Sequence, residues 1–197
     1  MPASLRQVTR EYILADTEFA KQRKARRAAL LPTKRLRRIA LGPYCTFYFE
    51  RYETQLFQIQ EMLLVEEGGQ AQIDDELGAY NPLIPEGSEL VATAMFEIDD
   101  ERRRAVILGE LGRVENNFFI EVGAARVAGV AEDDVERTRD DGKTSSVHFL
   151  HFRFQPEQVA GFRDPAVRVM LGCDHPRYAH FAVLSDESRA ELAKDFF

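Results

Sequence analysis

The sequence predicts an α+β fold: a mainly antiparallel sheet packed on a central two-faced helix, with a basic helical N-terminal arm. Three observations carry this. Strand and helix patterns mix without the regular alternation of a doubly wound fold. Neighbouring strand patterns are joined by short turn signals, as in hairpins. One run, Glu50 to Glu67, has apolar residues on two sides at helical spacing.

Taken in order, Ser4–Ala15 reads as a short helix. A second begins at Asp16 or Thr17, carries Lys21, Arg23, Lys24, Arg26 and Arg27, and stops before Pro32. Gly42-Pro43 is a turn between the strands Ile39–Leu41 and Tyr44–Phe49. In the second strand Cys45, Phe47 and Phe49 share one face and Tyr44, Thr46 and Tyr48 the other. Both faces are largely apolar, which fits a strand covered on both sides.

In the helix that follows, Tyr52, Leu56, Ile59 and Leu63 form one stripe. Phe57 and Leu64 form another, nearly opposite, with Glu50, Thr54 and Glu61 beside it. Such a helix is expected to be sandwiched inside a domain. Glu50 and Glu61 stand about 16 Å apart along it, too far to share a ligand, so each needs its own partner.

Gly68-Gly69 breaks this helix, and Ile73–Tyr80 is a short acidic one. Asn81–Gly87 is irregular, its two prolines fixing an extended path and Leu83 and Ile84 pinning it to the core. Glu89–Ile98 is a strand and Asp99–Gly112 a helix capped near Asp99 or Asp100. Phe118–Val122 and Arg126–Val130 make a hairpin around Gly123-Ala124. Residues 131–143 are a charged connection. Ser145–Phe154 is a strand, Pro156–Phe162 a short helix and Ala166–Leu171 the last strand, followed by a loop. A helix from about Asp186, capped by Ser185, closes the chain.

Composition sets the class. At 197 residues and 45% hydrophobic content, residues 37–197 are expected to form a single α+β domain, with residues 1–36 as the arm. Two cysteines far apart exclude a disulfide scaffold and point to a reducing compartment. No apolar run approaches the roughly 20 residues that span a bilayer. No hydrophobic signal core starts the chain, so a cytoplasmic location is expected.

Net charge is −7, yet residues 1–38 hold 11 Lys and Arg against 3 Asp and Glu, a net +8, which leaves −15 for the rest. A basic arm on so acidic a body reads better as a helix lying against that body than as a nucleic-acid arm, since the body would repel phosphates. There is no Gly-x-Gly-x-x-Gly, Walker loop or Gly-x-Ser-x-Gly elbow.

His148 and His151 have the spacing of a metal pair, but three residues apart in a strand they face opposite ways. His148 sits on the more apolar face, with Leu150, Phe152 and Phe154. There it is either a hydrogen-bonded core residue or a ligand. Cys173, Asp174, His175, Tyr178 and His180 crowd the segment after the last strand, where sites are often mounted. Their types suit iron, zinc or manganese, though the spacing matches no closed zinc motif. A full site would need His148 or a helix glutamate.

The chain resembles a bacterial family of unknown function across nearly its whole length. The shared residues are Leu41-Gly42-Pro43 with Phe47-Tyr48-Phe49-Glu50, Gln58-Ile59-Gln60-Glu61-Met62 and Ala79-Tyr80-Asn81-Pro82-Leu83-Ile84-Pro85. Ser145–Leu150 and Asp174-His175-Pro176 continue the pattern, while His151 stands where that family more usually has arginine. Members recur beside genes for rubrerythrin and an iron–sulfur oxidoreductase, which implies a part in redox or peroxide physiology. The leading expectation is therefore a non-enzymatic binding or accessory protein serving a redox partner, with a homo-oligomer left open. Its ligand-binding candidates are Glu50, Gln60, Glu61, Tyr80, Asn81 and Asp174. The alternative is a metal-binding protein or metal-dependent enzyme using His148 and His175 with a helix glutamate.

Overall fold

Alternation along the strands sends one large apolar set inward, and the sheet closes around it. The computed structural model describes residues 6–132, 138 and 142–197. Among these, eight strands are β1 Arg38–Leu41, β2 Cys45–Phe49, β3 Glu89–Phe96, β4 Phe118–Val122, β5 Ala125–Ala131, β6 Val147–Arg153, β7 Val169–His175 and β8 Tyr178–Val183. They pair antiparallel throughout, in the order β1-β2-β3-β6-β5-β4-β7-β8.

The two ends of this order approach each other, so the sheet is a nearly closed barrel. Tyr178 at the start of β8 bridges the gap. Its hydroxyl donates to Leu41 O at 2.7 Å and accepts from Cys45 N at 2.9 Å and Tyr44 N at 3.0 Å. The β1–β2 turn runs so close to β8 that a Cβ on Gly42 would fall 2.5 Å from the His180 ring, and Gly42 has φ +65° besides.

Inside the barrel, Phe47, Phe49, Leu90, Phe118, Ile120, Leu150, Phe152 and Leu171 are buried together. Phe47 on β2 meets Phe118 on β4 edge-on at 5.1 Å, a contact across the interior between strands that do not pair. α5 (Pro156–Arg163) and α6 (Asp186–Leu192) close one end of the barrel, where Phe154, Phe162 and Phe196 stack edge to face. α4 (Glu101–Glu110) adds Leu108 to the same core.

The expected sheet packed on one central helix is overturned, although the α+β class holds. A sheet that curls into a barrel buries its apolar face against itself and needs no helix at its centre. The helix in question, α2 (Tyr52–Glu66), lies outside, between α1 (Asp16–Leu36) and α3 (Gly69–Tyr80). Its two stripes face these neighbours. Tyr52, Ile59 and Leu63 join Val8, Ile73 and Ile84 in a second, smaller core, and Phe57 meets Phe19 of α1 at 5.7 Å.

Three local expectations are also corrected. α1 runs through Pro32 instead of stopping before it. An interior proline costs about 3 kcal/mol, and the extra turn is held because it delivers Arg37 to the anchoring network described below. The expected helix at Ser4–Ala15 is, among its described residues, a single 3-10 turn at Arg10–Tyr12. Side-chain amides capture its backbone: Asn81 binds Val8 and Gln60 binds Leu14, each by both amide ends. Finally, β7 continues past Leu171 to His175 and turns straight into β8. Cys173 and His175 keep up the inward alternation, whereas Phe181 and Val183 point outward and hide the pattern of β8. Of the charged connection expected at residues 131–143, Ala131 ends β5 and residues 133–137 and 139–141 lie outside the described residues.

Candidate functional site

The outer faces of β2, β3 and β6 do not pack flat against the helices. Tyr48, Thr93, Met95, Val147 and Phe149, the outward residues of these strands, form one wall of a cleft. Residues of α1, α2 and α3 form the other: Lys34, Gln55, Gln58 and Tyr80. The cleft has a volume of about 400 Å³, in the range of small-molecule sites.

Glu50 stands where β2 hands over to α2, and local chemistry holds it there. Its N–H donates to Val91 O at 2.7 Å, extending the β2–β3 ladder by one residue. The next residue caps α2, with Thr54 Oγ1 accepting from Arg51 N at 3.0 Å. The Thr54 hydroxyl lies 2.8 Å from one Glu50 carboxylate oxygen and 2.9 Å from Arg51 O, sharing its single proton between them, and the Thr93 hydroxyl of β3 donates to the other Glu50 oxygen at 2.8 Å. The carboxylate is half-buried and, among the described residues, makes no ion pair. Beside it, Gln55 is only 3% exposed, and its Oε1 is buried without a hydrogen-bond partner among the described residues. Such an orphan costs about 1–3 kcal/mol.

Beneath the cleft lies a buried charge network. Arg37, 1% exposed, donates from Nε to Phe49 O at 3.0 Å and from Nη2 to Glu50 O at 2.7 Å. The same guanidinium is paired with Asp195, itself 1% exposed. Arg51 Nη1 reaches Glu191 at 2.9 Å, completing the network. Burial pushes the Asp195 carboxyl up despite the pull of Arg37. The positive charge of Arg37 is thus matched within the network, and among the described residues the negative charge of Glu50 has no ion-pair partner.

Of the eight residues singled out by sequence, Glu50 and Tyr80 converge on the cleft. Tyr80 hydrogen-bonds Gln58, and burial pushes its hydroxyl up. Glu61 lies one helix face away, bound bidentately by Arg23 at 2.7 Å, and the Arg23 guanidinium holds its carboxyl below the usual range. Gln60 and Asn81 hold the N-terminal backbone. Asp174 pairs with Arg126 at 2.7 Å on the barrel exterior. His175, at the end of β7, accepts at Nδ1 from Arg177 N at 3.2 Å.

His148 points into the barrel against Phe96 and Phe118, with Nε2 2.9 Å from Ser145 O. Among the described residues, no three His, Cys, Asp or Glu side chains form a group able to hold a metal ion. The residues missed by sequence are Gln55, Thr93 and Lys34. Thr93, a hydroxyl in the apolar run Leu90–Met95, was the one legible signal.

His151 faces outward, with Nδ1 3.1 Å from Glu89 and Nε2 3.5 Å from Glu132. Burial pulls its pKa down, but the two glutamates outweigh this and raise it above its ordinary value. A raised folded-state pKa means that the stabilisation is fully present below the unfolded pKa of about 6.5 and is lost as pH rises through the folded value. Thermal melts of the wild type are therefore expected to lose stability above about pH 6.5, and His151→Gln should flatten that loss. An unchanged pH slope in His151→Gln would refute the assignment.

Among the described residues, no helix is long and apolar enough to cross a membrane. A search of curated proteins found no match. A crystal structure of a protein of unknown function from Burkholderia pseudomallei K96243 is similar, with a TM-score of 0.89 and 34% identity, covering 97% of this chain and 100% of that one. A family model described as "Protein of unknown function (DUF3501)" matches residues 7–196. The barrel with its three-helix flank is thus shared along the full length of a solved relative, and the chain belongs to the DUF3501 family.

Proposed function

We propose that this protein binds a small molecule in the cleft between the outer face of β2–β3–β6 and helices α1–α3. The observation that carries the reading is the Glu50 carboxylate, half-buried, within hydrogen-bond reach of two threonines and in no ion pair among the described residues, opening onto a cavity of about 400 Å³. Proteins seldom leave a charge so placed unless something else completes it. The apolar floor of Leu83, Met95 and Val147 supplies the hydrophobic surface that small ligands bury.

The test is a fragment screen by protein-observed NMR, with ammonium, neutral and carboxylate fragments represented equally. Fragments are expected to shift resonances of cleft residues in the wild type. Val147→Trp, which fills the cleft from the strand side, should abolish those shifts while changing stability by only about 1 kcal/mol. Absence of any cleft-directed binding, whatever the fragment charge, would defeat the proposal. The service to a redox or peroxide-linked partner belongs to this proposal as context, and its support is the family resemblance alone.

A further inference from the structure

We infer that the ligand of this cleft is a cation with N–H donors, a primary ammonium or guanidinium head on an apolar or aromatic body. The inference rests on the cleft being a binding site and adds the chemistry of what it takes. A carboxylate can only accept hydrogen bonds. The Glu50 oxygens each lie within hydrogen-bond reach of one threonine hydroxyl and keep lone pairs to spare. Gln55 lines the same wall, and its buried Oε1 has no hydrogen-bond partner among the described residues. A half-buried charged acceptor and a buried neutral one beside it call for a ligand that brings donors and positive charge.

Among the described residues, the two cations that line the cleft do not meet that need. Arg37 is committed to Asp195 and to two carbonyls. Lys34 is exposed, on the side of the cleft where its charge also acts on Glu61. The aromatic wall favours the same ligand, because Tyr48, Phe149 and Tyr80 offer ring surface to a cation as well as to an apolar body.

The test is isothermal titration of the full chain with three fragments that share one body: tyramine, 4-ethylphenol and 4-hydroxyphenylacetate. It is repeated with phenethylamine, ethylbenzene-sized neutrals and phenylacetate, so that the result does not hang on one body. The ammonium member of each set is expected to bind about tenfold more tightly than its neutral partner. The carboxylate should be the weakest. Glu50→Gln keeps the shape and one acceptor oxygen while removing the charge, and is expected to erase the ammonium preference.

Three results overturn the inference: carboxylates binding best, an ammonium preference that survives Glu50→Gln, or failure of every ammonium to bind. If neutral or anionic fragments still occupy the cleft, only the ligand class falls. If nothing binds there, the binding reading falls with it.

Discussion

Replacing Arg37 with methionine is expected to destabilise the protein by about 3–5 kcal/mol, the range for breaking one side of a buried ion pair. The change strands Asp195, which is 1% exposed, and removes the donors to Phe49 O and Glu50 O. It also detaches the C-terminal turn from the handover between β2 and α2. The measurement is the urea midpoint at constant slope. Arg37→Lys should lie in between, because an ammonium keeps the charge but cannot span two carbonyls and a carboxylate. Arg37→Met together with Asp195→Leu should recover part of the loss, since an apolar pair of similar volume leaves no buried charge unpaired. A loss below about 1 kcal/mol in Arg37→Met would show that the network does not pin the chain ends to the barrel.

Phe47→Ala is expected to cost a similar amount, about 3–5 kcal/mol. Phe47 is fully buried and touches rings on three strands: Phe49 of its own strand at 6.2 Å, Phe118 at 5.1 Å and Phe152 at 6.4 Å. The Phe118 contact is the distinguishing one, because β2 and β4 meet only if the sheet curls around its interior. A double-mutant cycle between Phe47→Leu and Phe118→Leu should give a coupling of about 0.5–1.5 kcal/mol. No coupling would mean that the barrel interior is not packed across its diameter.

Much of the local structure was legible in the sequence. The turn at Gly42-Pro43, the caps at Asp100 and Ser185, the hairpin at Gly123-Ala124 and the buried pair Leu83-Ile84 all follow from turn chemistry, capping and periodicity. Strand alternation placed His148 with Leu150 and Phe152, and all three face the barrel interior. β8 escaped because its outward residues Phe181 and Val183 are exposed hydrophobics, so its pattern carries no contrast between faces.

The cleft was legible only in fragments. Glu50 stood out as a carboxylate beside an apolar stripe, and Tyr80 as the end of a helix. Neither position reveals that Thr93, some forty residues further on, would donate to Glu50. Gln55 gave no signal, because a glutamine in an amphipathic helix is ordinary until its surroundings are known.

By itself the sequence determined the elements and which face of most of them would be apolar, since those depend on neighbours within a few residues. What lies against each face was decided by closure of the sheet. Once β8 met β1 through Tyr178, the barrel filled itself with phenylalanine and displaced α2 to the outside. Periodicity says that two sides of a helix must be covered. It does not say by what, because burial is non-directional and a neighbouring helix satisfies it as well as a sheet.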